Sequence, residues 1–177
     1  MNTKNNKRRQ ETVRNIEIAF LSFLQAKKLE QITVSDICKA ADINRSTFYA
    51  NFMDVYDLAD KMREKLEAEV AELYSGERAM QVNSHDYLKL FHHIYSNQVL
   101  YSTYFKLGYD GQNKIMQYDT HLAEKRFGNR FIDYHIEFFR QGLNAIIKKW
   151  LAGGCKETPE EMMEIVTSEY SDHTDLC

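Results

Sequence analysis

The sequence predicts an all-α protein on three observations. Apolar residues recur at helical spacing through most of its 177 residues, no convincing strand pair occurs, and the single proline stands where a helix would begin. In a first helix from about Arg8 to Lys28, Val13, Ile16, Phe20, Phe23 and Leu24 form one apolar stripe. Lys4, Lys7, Arg8 and Arg9 stand ahead of it, as a basic arm for phosphates or an adjacent minor groove.

The next stretch, Thr33 to Phe52, reads as two short helices across a tight turn. Thr33 caps the first, with Asp36 at the third helical position as its reciprocal carboxylate. Ala40 and Ala41 permit close helix approach, Asp42 is a residue type that tolerates a left-handed turn, and Ile43 plugs the angle. Asn44 caps a second helix from about Arg45 to Asn51. Phe48 and Phe52, four apart, face the core and leave Arg45, Ser46, Thr47 and Tyr49 to a DNA duplex.

Beyond Met53 a helix capped by Asp54 carries Leu58, Met62, Leu66, Val70 and Leu73 inward and ends at Ser75 and Gly76. Residues 77–83 read as a polar connection. Ser84 caps a helix through Tyr95, a shorter one covers Gln98 to Lys106, and Gly108 and Gly111 mark a turn before a helix from Asn113 to Phe127. Between Asn129 and Leu151 the chain is apolar on two sides: Ile132, Ile136, Phe139, Leu143, Ile146, Ile147 and Trp150 on one, Phe131, Tyr134 and Phe138 on another. A helix with two apolar faces needs two partners, and the simplest second partner is another copy of itself. Gly153 and Gly154 stop it. Thr158, Pro159 and Glu161 restart a last helix carrying Met162, Met163, Ile165, Val166 and Tyr170, and Ser171 to Cys177 read as loose. A four-helix dimer contact follows, with Phe139, Leu143, Ile146, Trp150, Met162 and Ile165 at the interface. The expected division is residues 1–53 for the DNA-binding part with its basic arm and 54–177 for a regulatory and dimerisation part.

Charge is distributed to match. The net charge is −3, yet through Met53 there are nine Lys and Arg against five Asp and Glu, so the basic end is the one with the two-helix motif. The first residues lack the apolar segment of a signal peptide, and no apolar run approaches the roughly 20 residues needed to span a bilayer, so a cytoplasmic location is expected. Cys38, Cys155 and Cys177 form no C-x-x-C pair, which argues against a disulfide framework and a structural zinc site. His92 and His93 point about 100° apart on a helix, and no H-E-x-x-H, G-x-S-x-G or phosphate-cradling glycine loop occurs. No catalytic residue, metal or cofactor is expected.

From about Lys7 to Leu66 the sequence resembles the DNA-binding domain of TetR-family repressors, and INRSTFYANFMDVYDL matches the family pattern around the recognition helix. Three positions depart from it: Asp42 replaces a usual turn glycine, Asn51 a common histidine, and Val55 a lysine that often touches a phosphate. The resemblance implies a dimer on an inverted-repeat operator. It also implies an effector pocket between helices of the second domain, whose occupancy alters the separation of the two DNA-binding heads. Within a half-site, Arg45 suits a guanine and the Thr47 methyl a thymine; Ser46 and Tyr49 suit phosphates, Thr33 and Lys39 anchor the first motif helix, and Asn44 and Asn51 complete the surface. His92, Tyr95, Tyr104 and His121 combine apolar bodies with polar tips and suit the pocket. A protein coactivator acting in place of a small molecule is the alternative mode of control. A helical enzyme or storage protein is the third reading.

Overall fold

The computed structural model describes residues 3–75, 87–112 and 130–171. Every regular element among them is helical: α1 Thr3–Ala26, α2 Val34–Ala40, α3 Arg45–Tyr49, α4 Val55–Leu73, α5 Leu88–Ser96, α6 Gln98–Lys106, α7 Ile132–Ala152 and α8 Pro159–Ser171. The chain forms two compact units that divide after Leu66.

In the first unit, α1 packs on α2 and α2 on α3, with Ile16, Phe20, Leu24, Ile37, Phe48 and Leu58 fully buried. Two expectations shift. The first helix begins at Thr3, so Lys7, Arg8 and Arg9 lie on its early turns and not on an arm ahead of it. No glycine or proline interrupts residues 3–9, and Lys, Arg and Gln are good helix formers, so nothing stops the helix from extending outward. The unit also reaches past Met53, because Val55, Leu58, Ala59 and Met62 of α4 are themselves core residues. α4 starts where its cap demands: Asp54 Oδ1 accepts from the Asp57 amide and Asp57 Oδ2 from the Met53 amide, each at 2.8 Å.

In the second unit, α5 packs on α8 and α6 on α7. Leu90, Phe91 and Ile94 of α5, Tyr101 and Tyr104 of α6, Leu143, Ile147 and Trp150 of α7, and Met162 and Val166 of α8 are buried. Trp150 meets Phe91 edge-on at 5.8 Å, stacks on Tyr95 at 6.1 Å, and donates its indole N–H to the Glu157 carbonyl at 3.0 Å. α7 stops where Gly154 takes φ 78°, a left-handed conformation that favours glycine. The restart follows the expected pattern: Thr158 Oγ1 accepts from the Glu161 amide at 3.2 Å, Glu161 accepts from the Thr158 amide at 2.7 Å, and Pro159 fills the first helical position. The expected cap at Ser84, the helix from Asn113 to Phe127 and the loose residues after Ser171 lie outside the described residues.

These burials correct part of the expected dimer contact. Leu143, Trp150 and Met162 are 0%, 3% and 3% exposed in the single chain, so they have no area to offer a second copy. Both faces of α7 are apolar, and the protomer uses the Leu143 to Trp150 face for itself. The other face stays open: Tyr134 is 77% and Phe138 74% exposed, at spacing that places them on one side of the helix. Phe139 and Ile146 are half-buried, and Ile165 on α8 is 40% exposed.

Trp150→Ala should therefore destabilise the folded protomer by about 3 to 5 kcal/mol, as a large aromatic deletion in a core does. Tyr134→Ala should change protomer stability by less than about 0.5 kcal/mol. Urea unfolding followed by helical circular dichroism measures both, and a near-neutral Trp150→Ala would contradict the placement.

Candidate nucleic-acid interface

The interface is built from the turn outward. Thr33 Oγ1 accepts from the Asp36 amide at 3.1 Å and Asp36 Oδ2 accepts from the Thr33 amide at 3.3 Å, which closes the first turn of α2. Hydrogen bonds from Thr33, side chain and backbone, hold the Asp36 carboxyl below the ordinary aspartate range, and Lys27 and Lys39 add to the effect. At the other end of α2 the Ile43 amide reaches back to the Cys38 carbonyl at 3.0 Å, the outer bond of a Schellman closure. Asp42, at φ 52°, supplies the left-handed residue that this closure requires. The departure from glycine is thus accommodated by a side chain of the type that enters this region most readily.

α3 follows at once, and Asn44 organises its start. Asn44 Oδ1 accepts from the Thr47 amide at 2.8 Å and from the hydroxyls of Ser46 and Thr47, each at 2.7 Å. Both hydroxyl protons are directed at the cap, which requires Ser46 to rotate before it donates to a phosphate. α3 closes at Tyr49, with Ala50 as its C-cap, so Asn51 lies just past the helix. Phe48 is fully buried against Phe52, ring centroids 5.6 Å apart, which turns the opposite face of α3 outward.

On that face Arg45 Nη2 donates to Tyr49 Oη at 3.3 Å, and its guanidinium carbon stands 6.0 Å from the Tyr49 ring centroid. Tyr49 also meets Phe48 edge-on at 5.6 Å, so it belongs at once to the rim of the core and to the exposed surface. Lys39 is exposed in the last turn of α2. Thr33, Asn44 and Ser46 are committed to caps, whereas Arg45 and Tyr49 are exposed.

Asn51 has a role that no local pattern announces. Its Oδ1 accepts from Arg9 Nε of α1 at 3.1 Å, and its Nδ2 donates to the Thr47 carbonyl at 2.9 Å. Val55 is buried and presents nothing to a phosphate. Nearby, Lys61 Nζ reaches Asp57 at 2.9 Å and the Asn51 carbonyl at 3.1 Å.

Of the side chains expected to line an effector pocket, three lie among the described residues. His92 is exposed and pairs with Glu160 at 3.0 Å, Tyr95 covers Trp150, and Tyr104 is buried with its hydroxyl donating to the Tyr109 carbonyl at 3.1 Å. His121 lies outside the described residues. The more buried polar grouping is one that spacing alone did not reveal: His93 Nδ1 lies 2.8 Å from the Tyr101 hydroxyl and His93 Nε2 lies 3.7 Å from Glu69. Burial pushes the Tyr101 hydroxyl well above the ordinary tyrosine range. Among the described residues no group of three His, Cys, Asp or Glu side chains is placed to hold a metal ion, and no helix is long and apolar enough to cross a membrane.

Comparison with known proteins converges on one class. Residues 83–169 match a family model described as a transcriptional regulator C-terminal region of the TetR type. A solved structure, the dihydroxyacetone kinase operon activator DhaS, is similar in fold: TM-score 0.55 and 22% identity, covering 89% of this chain and 93% of that one. No curated protein matches the sequence. Through residues 83–169 the chain is similar to TetR-type transcriptional regulators, and its fold is similar to that of DhaS.

Acid should loosen the first unit through its caps. Asp36 is held below the ordinary aspartate range, and Asp57, hydrogen-bonded by Lys61 and the Met53 amide, is held below it too. The unfolded chain then binds more protons on acidification, so the stability these groups confer is complete above the ordinary aspartate value and is lost as pH falls through the lowered folded values. The double variant Asp36→Asn, Asp57→Asn should show a flatter acid limb than the parent in urea unfolding between about pH 5 and pH 2. Identical limbs would contradict the assignment.

Proposed function

We propose that this protein is a TetR-family transcriptional regulator that acts in the cytoplasm as a DNA-binding homodimer, a repressor that occupies an inverted-repeat operator, without catalytic chemistry of its own. The observation that carries the reading is the outward face of α3, where Arg45 and Tyr49 are ordered against one another and the Thr47 hydroxyl is held by the cap. Arg45 offers the fork that suits guanine O6 and N7, and the Thr47 methyl suits a thymine methyl. A single α3 reads a short half-site. Two copies related by a two-fold axis would place their recognition helices about 34 to 36 Å apart, one turn of the duplex or a multiple of it.

The open aromatic face of α7 supports self-association. Tyr134 and Phe138, with Phe139, Ile146 and Ile165, take the place of the buried residues first expected at the contact. A small-molecule effector of the second unit would modulate operator affinity only by binding the DNA-competent and incompetent arrangements unequally. Control by a protein partner is the second reading. It is favoured by the separate commitments of His92, Tyr95 and Tyr104, and the similar fold of a protein named as an operon activator supports keeping activation open.

Arg45→Ala should weaken binding to a cognate duplex by about 1 to 3 kcal/mol and relax preference at one base pair of each half-site. Anisotropy titrations against single-base variants of the duplex read this directly, and an unaltered preference profile would remove Arg45 from the readout. Phe138→Glu should shift sedimentation from dimer to folded monomer and weaken operator binding with it. A Phe138→Glu protein that stays dimeric at nanomolar concentration would place the contact elsewhere.

A further inference from the structure

The hydrogen bond between α1 and the residue just past α3 assigns a task to a basic residue that helical spacing left among its neighbours. Arg9 uses Nε to donate to Asn51 Oδ1 at 3.1 Å, and Asn51 uses Nδ2 to donate to the Thr47 carbonyl at 2.9 Å. The orientation of the Asn51 amide is fixed by chemistry, since Arg9 offers only donors and the Thr47 carbonyl only accepts. Of the five N–H donors of a guanidinium, this arrangement engages the one on Nε and leaves the two amino groups as a fork. Arg9 is exposed, and it shares a concave surface with Arg14 and Lys65, where Glu17 is the one lining carboxylate and is itself paired with Lys65 at 3.0 Å. A positive surface thus adjoins the end of the recognition helix within a single compact unit.

We propose that Arg9 contacts a backbone phosphate of the half-site read by α3, and that Asn51 is its positioning residue and not a DNA contact in its own right. The inference rests on the DNA-binding reading above. Tying the guanidinium to the Thr47 carbonyl through Asn51 fixes it in register with the recognition helix before DNA arrives, so the long side chain loses less freedom on binding. A fork oriented in this way matches two phosphate oxygens, which a lysine ammonium does not.

The test is a double-mutant cycle read through salt dependence, with the full-length protein and an inverted-repeat duplex selected by the parent. Each phosphate neutralised contributes about 0.9 to the slope of log K against log salt, so Arg9→Ala should lower the slope by about two in a dimer. It should also weaken binding about tenfold, as loss of a charge-assisted pair does. Asn51→Ala should weaken binding in the same sense, and adding it to Arg9→Ala should cost nothing further. Arg9→Lys should recover the slope while remaining weaker than the parent. Thermal unfolding should stay within a degree or two for Arg9→Ala and Arg9→Lys, because Arg9 is exposed. A parental slope for Arg9→Ala overturns the phosphate contact, and additive losses overturn the positioning role of Asn51. A parent protein that binds no duplex in a salt-dependent way overturns the DNA reading and this inference with it.

Discussion

A helix of five residues is too short to hold itself together in water, and α3 has five. Its conformation is imposed from its two ends and its underside. Asn44 gathers three hydrogen bonds at the start, the Schellman closure through Ile43 and Cys38 sets the angle of entry, and Phe48 is fully buried beneath. Everything else in the amino-terminal unit serves that arrangement. α1 and α4 supply the apolar floor, and the capping pairs at Thr33 and Asp54 hold the neighbouring helix starts in place.

The second unit obeys a different constraint. α7 is apolar on two sides, and one of them, with Leu143, Ile147 and Trp150, is buried within the protomer. Trp150 decides which, because its ring is enclosed by Phe91 and Tyr95 and its N–H needs the Glu157 carbonyl. The face bearing Tyr134 and Phe138 is left outward. Exposed aromatics grouped along one helix side are costly to keep in water, and that cost is the physical ground for the proposed association.

Much of the fold was legible in the chain because its signals are local. The Thr33 and Thr158 capping boxes, the Asp54 cap, the bounds of α6 and the left-handed tolerance of Asp42 all depend on residues within a few positions of one another. What was illegible is tertiary. Arg9 and Asn51 are 42 positions apart, and nothing in either neighbourhood announces their bond. Periodicity showed that α7 has two apolar faces but could not say which one the protomer buries, so Leu143, Trp150 and Met162 were assigned to the wrong contact. His92 and Tyr104 likewise carry the residue types of a binding pocket, while their actual partners, Glu160 and the Tyr109 carbonyl, are set by packing.

The central claim is that α3 is a groove-reading element presented in duplicate. Selection of bound duplexes from a randomised pool, with the purified full-length protein at low salt, addresses it most directly. The account predicts enrichment of an inverted repeat whose half-site centres lie about one helical turn, or a whole number of turns, apart, with binding that falls as salt rises. A pool that stays random after repeated rounds, or that enriches only a lone half-site with no symmetric mate, would contradict it.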